Sequence, residues 1–433
     1  MEPSSDAVRS LLTSLFPSGL IEDLAHEREV VQRDRKIDVR MLVWTLVLGF
    51  AANGEARSIA GYRRSYELAT NQSVAPSSFY DRFSDQLADL LRDLLDHAVE
   101  EVAVPHHVAP AFQRFRDVMV ADATVFRLHR LLSEFEATHD DQSGAMLYLV
   151  HNITDQSVIS TEITDERVHE STLFKTGSWL RGRLFLFDQG FFKYRRFALI
   201  DENDGFFVSR LKPDANPVIT AELREWRGRA IPLEGKQIHD VVGDLSRQYI
   251  DVEVEAEFKR GPYNGTRSLD TKAFRVVGVR NEDADDYHLY ITNLPREQFR
   301  PDEIGFLYRA RWEVELLFRE LKSQYELTSF ETGKAHIVRI QILAALLTLV
   351  VSRAILRTIC DHADHPVAGV PKERWAATFR SAAQLILHEL AAVYSYPPPD
   401  LEAFLTQEAL NQPASRQTLI GEVSNALSGG LTA

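Results

Sequence analysis

The chain has 433 residues, 45% hydrophobic, 26% charged and 10% aromatic, which is ordinary globular composition and length for roughly two to four packed units. Its single cysteine, Cys360, excludes a disulfide framework and a cysteine-based zinc site. The net charge of −14 excludes a uniformly basic surface, so any phosphate contact must come from local clusters. Only 10 lysines stand beside 39 arginines and 63 acids, a balance that suits a high-salt cytoplasm. The start of the chain has no basic leader and no small-residue cleavage site. The most apolar stretch, residues 343–351, is short for a bilayer and bounded by Arg339 and Arg353. A cytoplasmic protein without a membrane partner is expected.

Residues 1–104 read as a helical N-terminal DNA-binding domain. RMLVWTLVLGFAA is an apolar helix, and ARSIAGYRRSYELATN and PSSFYDRFSDQLADLLRDLLDHAVEEV are amphipathic ones. The intervening turn offers Ser77 and Ser78 as caps. Helix, turn and helix, with Tyr80, Arg82 and the Arg63-Arg64 pair nearby, match a DNA-reading motif, and a plain helical cap on the core is the competing reading. Further clusters lie at Arg28, Arg33, Arg35, Lys36 and Arg40, and at Lys193, Arg195 and Arg196. The Pro-bracketed VPHHVAP (residues 104–110) reads as a linker, with His106 and His107 part of it rather than a metal site.

From 111 to 211 the elements alternate. Strands are expected near 117–122, 145–153, 157–163, 184–187 and 205–210, a helical piece at HESTLFKTGSWL, and a helix near 191–200. The apolar runs 118–120 and 184–187 read as strands buried on both faces, and they lead into Asp122 and Asp188. Such an acid in isolation is more often a turn or cap residue. Asp117 precedes its strand, so Asp122 is preferred, and Gly190 permits the turn after Asp188. Residues 212–295 change character: prolines and glycines separate alternating runs such as YIDVEVEAEF and AFRVVGVR, an antiparallel β-rich insertion. Residues 296–360 return to helices, and 361–433 form a helical C-terminal tail with an amphipathic helix near 374–394 and a candidate dimerisation role.

The stretch YRARWEVELLFRELK spaces Tyr308, Arg311, Glu315 and Lys322 at offsets 0, 3, 7 and 14. On a helical wheel these fall at about 0°, −60°, −20° and −40°, one narrow stripe roughly 21 Å long. Glu313 and Glu320, near about 140° and 120°, face away. An acid flanked by cations and an aromatic suits a metal bound beside a nucleic-acid backbone, whereas a solvated face with (i, i+4) ion pairs is the plain alternative.

This spacing resembles the Tyr-Arg-Glu-Lys signature of DDE transposases from bacterial and archaeal insertion sequences, specifically the family numbered four. LFDQGFF around Asp188 and YHLYITNLP before the Glu helix resemble it too, over roughly residues 111–356. The resemblance implies a ribonuclease H-like catalytic core in two parts, 111–211 and 296–360, interrupted by the insertion 212–295: an α/β fold with helical ends. It implies cut-and-paste transposition, with a hairpin at the element end. Asp122, Asp188 and Glu315 would be catalytic and hold two Mg²⁺ or Mn²⁺ ions, Asp122 between them and the other acids one each. Tyr308, Arg311, Lys322 and Arg319 would contact DNA. The partners implied are double-stranded DNA, as terminal inverted repeats and target, and a second copy in the DNA complex. A flipped base would stack on an aromatic of the insertion; Trp226 is its one tryptophan, although a core role is the plainer reading. A metal-dependent nuclease without strand transfer and a transposase-derived DNA-binding regulator are the competing functions.

Overall fold

The computed structural model describes residues 5–410 except 32–36, 53–56, 103–111, 129–131, 133–134, 136–142, 155–156, 224, 227–228, 231, 262–267, 282–285, 326, 328–329 and 331. The expected linker with His106 and His107, the cations Arg33, Arg35 and Lys36, the Trp226 side chain and everything after 410 lie outside the described residues.

Six helices open the chain: α1 (Ser5–Leu15), α2 (Ser18–Glu27), α3 (Val39–Ala52), α4 (Ile59–Thr70), α5 (Pro76–Tyr80) and α6 (Asp85–Val102). Three antiparallel strands follow, β1 (Asp117–Leu128), β2 (Ser143–Asn152) and β3 (Ser157–Asp165). Next come β4 (Arg183–Phe187), α7 (Tyr194–Glu202) and β5 (Phe206–Arg210), with β4 parallel to both β1 and β5. The 212–295 segment supplies β6 (Val218–Glu222), the small pair β7 (Glu225–Trp226) and β8 (Arg229–Ala230), α8 (Ile238–Val242), β9 (Tyr249–Lys259), β10 (Leu269–Asn281) and β11 (Asp286–Thr292). The chain then returns to helices: α9 (Pro301–Arg309), α10 (Trp312–Arg319), α11 (Ala335–His362), α12 (Lys372–Val393) and α13 (Leu401–Leu410).

Among the described residues one nine-stranded sheet runs β3-β2-β1-β4-β5-β11-β10-β9-β6. The insertion is therefore not packed apart. Its strands pair antiparallel, and β11 joins the edge of β5 through Tyr290 opposite Arg210. An exposed strand edge offers unpaired backbone groups, and β11 satisfies them.

Side chains alternate across a strand with a period of two, and each face of this sheet has its own core. Val118, Val120, Leu184 and Leu186 belong to one cluster, together with α3, α6, α10, α11 and α12. Met119, Ala121, Phe185 and Phe187 belong to the other, with Phe197 of α7 and Phe274 of β10. Continuing the alternation, Asp122 and Asp188 fall on the first face, which α10 covers with Val314 and Leu317.

The N-terminal helices share that first core with the C-terminal ones. Trp44, Leu46 and Leu91 are buried in the same cluster as Leu343, Leu347, Phe379 and Leu387. Polar contacts cross the same boundary: Thr348 Oγ1 donates to the Val47 carbonyl at 2.5 Å, and Trp44 Nε1 donates to the Tyr394 hydroxyl at 3.2 Å. Helix α11 is long and apolar enough to cross a bilayer, yet 72% of its most apolar window is buried inside the fold.

Several local expectations change. β1 does not stop at Asp122 but continues to Leu128, because β2 keeps pairing with it after β4 has left. HESTLFKTGSWL forms two short 3₁₀ turns, Glu170–Thr172 and Ser178–Leu180, rather than a helix; the extended Gly177 stands between them. PSSFY begins on Pro76 as first helical residue, so Ser77 and Ser78 lie inside α5 and do not cap it, and the expected second helix is split at Asp81–Ser84. A further helix, α13, follows the proline run of the tail.

Candidate active site

The parallel register between β1 and β4 ends with Ala121 opposite Phe187. The next residue on each strand is an acid. Asp122 and Asp188 are thus neighbours at the point where β4 ends, about one strand spacing of 4.8 Å apart in backbone. Asp122 Oδ1 accepts from the Ala123 amide at 2.8 Å. Asp188 ends its strand and opens a 3₁₀ turn, the Phe191 amide donating to its carbonyl at 3.0 Å.

The third acid arrives from α10. Arg311, in the break between α9 and α10, donates through Nη2 to Glu315 Oε1 at 2.6 Å, and its Nη1 lies 3.8 Å from Asp122 Oδ2. One guanidinium therefore bridges Asp122 and Glu315. It also lies 5.7 Å from the Tyr308 ring, which is packed against Tyr290 at 5.0 Å. The Tyr308 hydroxyl is buried and has no hydrogen-bond partner among the described residues, and burial pushes it well above the ordinary phenol range. Lys322 Nζ donates to Thr124 Oγ1 at 2.6 Å and to the Val125 carbonyl at 3.2 Å, just past Asp122 on β1.

Tyr308, Arg311, Glu315 and Lys322 come together near β1, but not on one straight helix. The wheel assumed unbroken 100° steps; instead the chain breaks at Ala310–Arg311, and Lys322 itself lies in a π-helical turn, Glu320–Gln324. The other acids of the stretch go elsewhere. Glu313 pairs with Lys372 at 3.5 Å and the buried Glu320 with Arg353 at 3.0 Å. Arg319 is exposed on α10 and makes no ion pair among the described residues. Asp117 is engaged by Arg183 Nε at 2.6 Å and by Asn152 Nδ2 at 3.2 Å.

Burial, with like charge beside it, makes two carboxyls here weaker acids than usual. Burial, then the neighbouring Asp188 and Glu315 carboxylates, push Asp122 up to about 6 against the opposing Ala123 amide and Arg311. Glu170, which the sequence reading passed over, is pushed up to about 7 by burial and by Asp122 and Asp188. It stands in an aperiodic stretch, so no strand or helix pattern pointed to it. As the side chains stand, no three acids, imidazoles or thiols among the described residues are gathered closely enough to share one ion; Arg311 occupies the space between Asp122 and Glu315.

Several clusters expected to be basic are internally paired. Arg63 is buried against Glu67 and Glu408, Arg64 donates to Glu408 at 2.8 Å, Arg28 to Asp93 at 2.6 Å, and Arg40 to Asp38 at 2.6 Å. Arg196 is buried and donates to the Phe191 and Ser171 carbonyls. Lys193 and Arg195 remain exposed beside it.

A cluster of carboxylates at the end of a parallel strand pair, bridged by one arginine from a covering helix, defines a site built to balance concentrated negative charge. The family model described as the transposase DDE domain matches residues 113–351, which hold every residue of this site, and the chain belongs to that family. The chain is similar to the putative transposase y4zB of Sinorhizobium fredii, 26% identical over 215 residues, spanning 49% of this chain and only 54% of that protein. It is similar to the transposase of insertion sequence element IS231F of Bacillus thuringiensis subsp. israelensis, 19% identical over 385 residues, 81% of this chain and 79% of that one. Among solved structures, a piggyBac transposase synaptic complex with hairpin DNA covers 95% of this chain and 86% of that chain at 9% identity and a TM-score of 0.49.

Proposed function

We propose that this chain is an insertion-sequence transposase that cuts and rejoins DNA at the ends of its own element, with Asp122, Asp188 and Glu315 as the catalytic acids. The observation that carries this reading is the β1–β4 register, which puts Asp122 and Asp188 side by side on the face that α10 covers. The family membership supports it, as does the strand order β3-β2-β1-β4-β5, three antiparallel strands followed by two parallel ones, which suits a ribonuclease H-like core. The spacing of Tyr308, Arg311, Glu315 and Lys322 favours the family numbered four and a cut-and-paste route.

The donor chemistry of the acid set suits a divalent cation, which would take the place Arg311 now holds between Asp122 and Glu315. Hard ions such as Mg²⁺ or Mn²⁺ take oxygen ligands, and among the described residues the Asp188 carboxylate accepts no hydrogen bond and pairs with no cation. Burial first, and the nearby Asp188 and Glu315 carboxylates after it, raise Asp122, and a bound cation would favour its charged form. Asp122, Asp188 and Glu315 would hold the ions, which when bound would stabilise charge on the attacking and leaving oxygens of a phosphodiester. Arg311 presents a planar fork that can exchange its carboxylate partners for a DNA phosphate. Tyr308 has a buried hydroxyl without an acceptor among the described residues, and a phosphate oxygen would supply one. Lys322 and the exposed Arg319 add point charge along the same path.

Excision of a marked element in cells, with the chain supplied in trans, tests this. Asp122→Asn and Asp188→Asn should each abolish excision at unchanged protein level. Full excision by either variant would remove that acid from the site. DNA breaks at the element ends without rejoining would favour the nuclease alternative.

A further inference from the structure

The segment that winds into two short turns instead of a helix brings one more carboxylate to the site. Glu170 opens the first turn, with the exposed His169 as its cap, and its side chain lies directly over Gly190, two residues beyond Asp188. A Cβ on Gly190 would overlap Glu170 Oε1. Gly190 does not adopt a left-handed backbone, so its lack of a side chain serves this close approach rather than the turn expected from sequence. Arg196 fixes the arrangement from beneath. It donates to the Ser171 carbonyl on the Glu170 turn and to the Phe191 carbonyl on the Asp188 turn, stapling the two together.

A carboxylate so carefully placed would ordinarily have a donor or cation to meet. Among the described residues Glu170 accepts no hydrogen bond on its side chain and forms no ion pair, since both Arg196 amino groups are spent on carbonyls. It lies half-buried in the field of Asp122 and Asp188, with the Arg196 guanidinium pulling the other way through space but not in contact with it. Leaving an acid half-buried among like charges is unfavourable unless something positive joins them.

We propose that Glu170 is a fourth acidic member of this site, seated against the Asp188 turn by Gly190 and Arg196 to help hold the divalent cation. The proposal rests on the metal-dependent reading above and extends it to a residue outside the three-acid set. Glu170 acts on cation affinity, either directly or through water between its carboxylate and the ion.

Titrating the full-length chain with Mn²⁺ and following the free-ion electron paramagnetic resonance signal tests it without any DNA reaction. Glu170→Gln should weaken Mn²⁺ binding roughly 10–100-fold, the range found when outer partners of metal ligands are lost, with circular dichroism unchanged. Gly190→Ala should weaken it in the same direction, because the new methyl pushes the carboxylate aside while leaving every charge in place. Glu170→Asp should keep part of the affinity. If Glu170→Gln and Gly190→Ala bind Mn²⁺ as tightly as the intact chain while Asp188→Asn does not, Glu170 is no part of the site and the three-acid reading stands. If the intact chain binds no Mn²⁺, or Asp188→Asn binds it equally well, the metal reading falls and takes this proposal with it.

Discussion

Asp122 shows how much a single residue's surroundings decide. It and Glu170 are held at about 6 and about 7, above the ordinary 3.8 and 4.5, so the folded chain binds these protons more tightly than the unfolded one. Their contribution to stability is full below about pH 4 and is lost as the pH rises through 6 to 7. Without metal, Asp122→Asn should therefore stabilise the chain at pH 8 by on the order of 1–3 kcal/mol and change little at pH 4. Urea unfolding at the two pH values measures this, and equal stability at pH 8 would show that Asp122 is not under charge stress. Asp122 and Asp188 are legible in the sequence because each follows an apolar strand run, and Glu315 because helical spacing sets it apart from Glu313 and Glu320. Glu170 is not, since no period runs through its segment. Arg196 is not either: it stands in a basic trio, and only the fold reveals that two carbonyls turn it inward.

At the scale of elements, the strands and the buried helix α11 follow from apolar runs, while the breaks between elements do not. The stretch from Tyr308 to Lys322 reads as one helix, yet it is two short helices and a π turn; the convergence of its four residues owes as much to the break at Arg311 as to helical spacing. What holds α9 and its Tyr308 in place is a buried pair far off in sequence. Arg275 on β10 donates twice to Asp251 on β9, at 2.7 and 3.0 Å, and its remaining amino group reaches the Leu294 and Phe299 carbonyls, on the segment leading into α9. Removing one partner leaves an uncompensated buried charge, so Asp251→Ala should lower stability by about 3–5 kcal/mol. A loss under about 1 kcal/mol by urea titration would mean that the packing of β9 on β10, not the ion pair, fixes this corner.

For the whole molecule, composition suggests units joined by a linker, and helices from the two ends of the chain share one core. The helices before residue 103 and the helices α11 and α12 bury one another, because neither set covers its apolar faces alone. That sharing between distant segments is invisible to local patterning. A chain starting near Pro105 should accordingly lose cooperative thermal unfolding and aggregate; a sharp transition close to that of the intact chain would restore the view of an independent N-terminal domain. Arg63, Arg64, Arg28 and Arg40 are likewise paired with carboxylates of the chain, as Arg311 is with Asp122 and Glu315 of the proposed acid set. The central claim is that those acids form one cation-dependent site on DNA. Its most direct measurement is cleavage, by the purified full-length chain with Mg²⁺, of a labelled duplex bearing an end of the element that encodes it. Glu315→Gln should reduce cleavage to background, Glu313→Gln should leave it nearly intact, and excess chelator should stop the wild-type chain. Equal losses in the two variants, or cleavage that persists in chelator, would contradict the account.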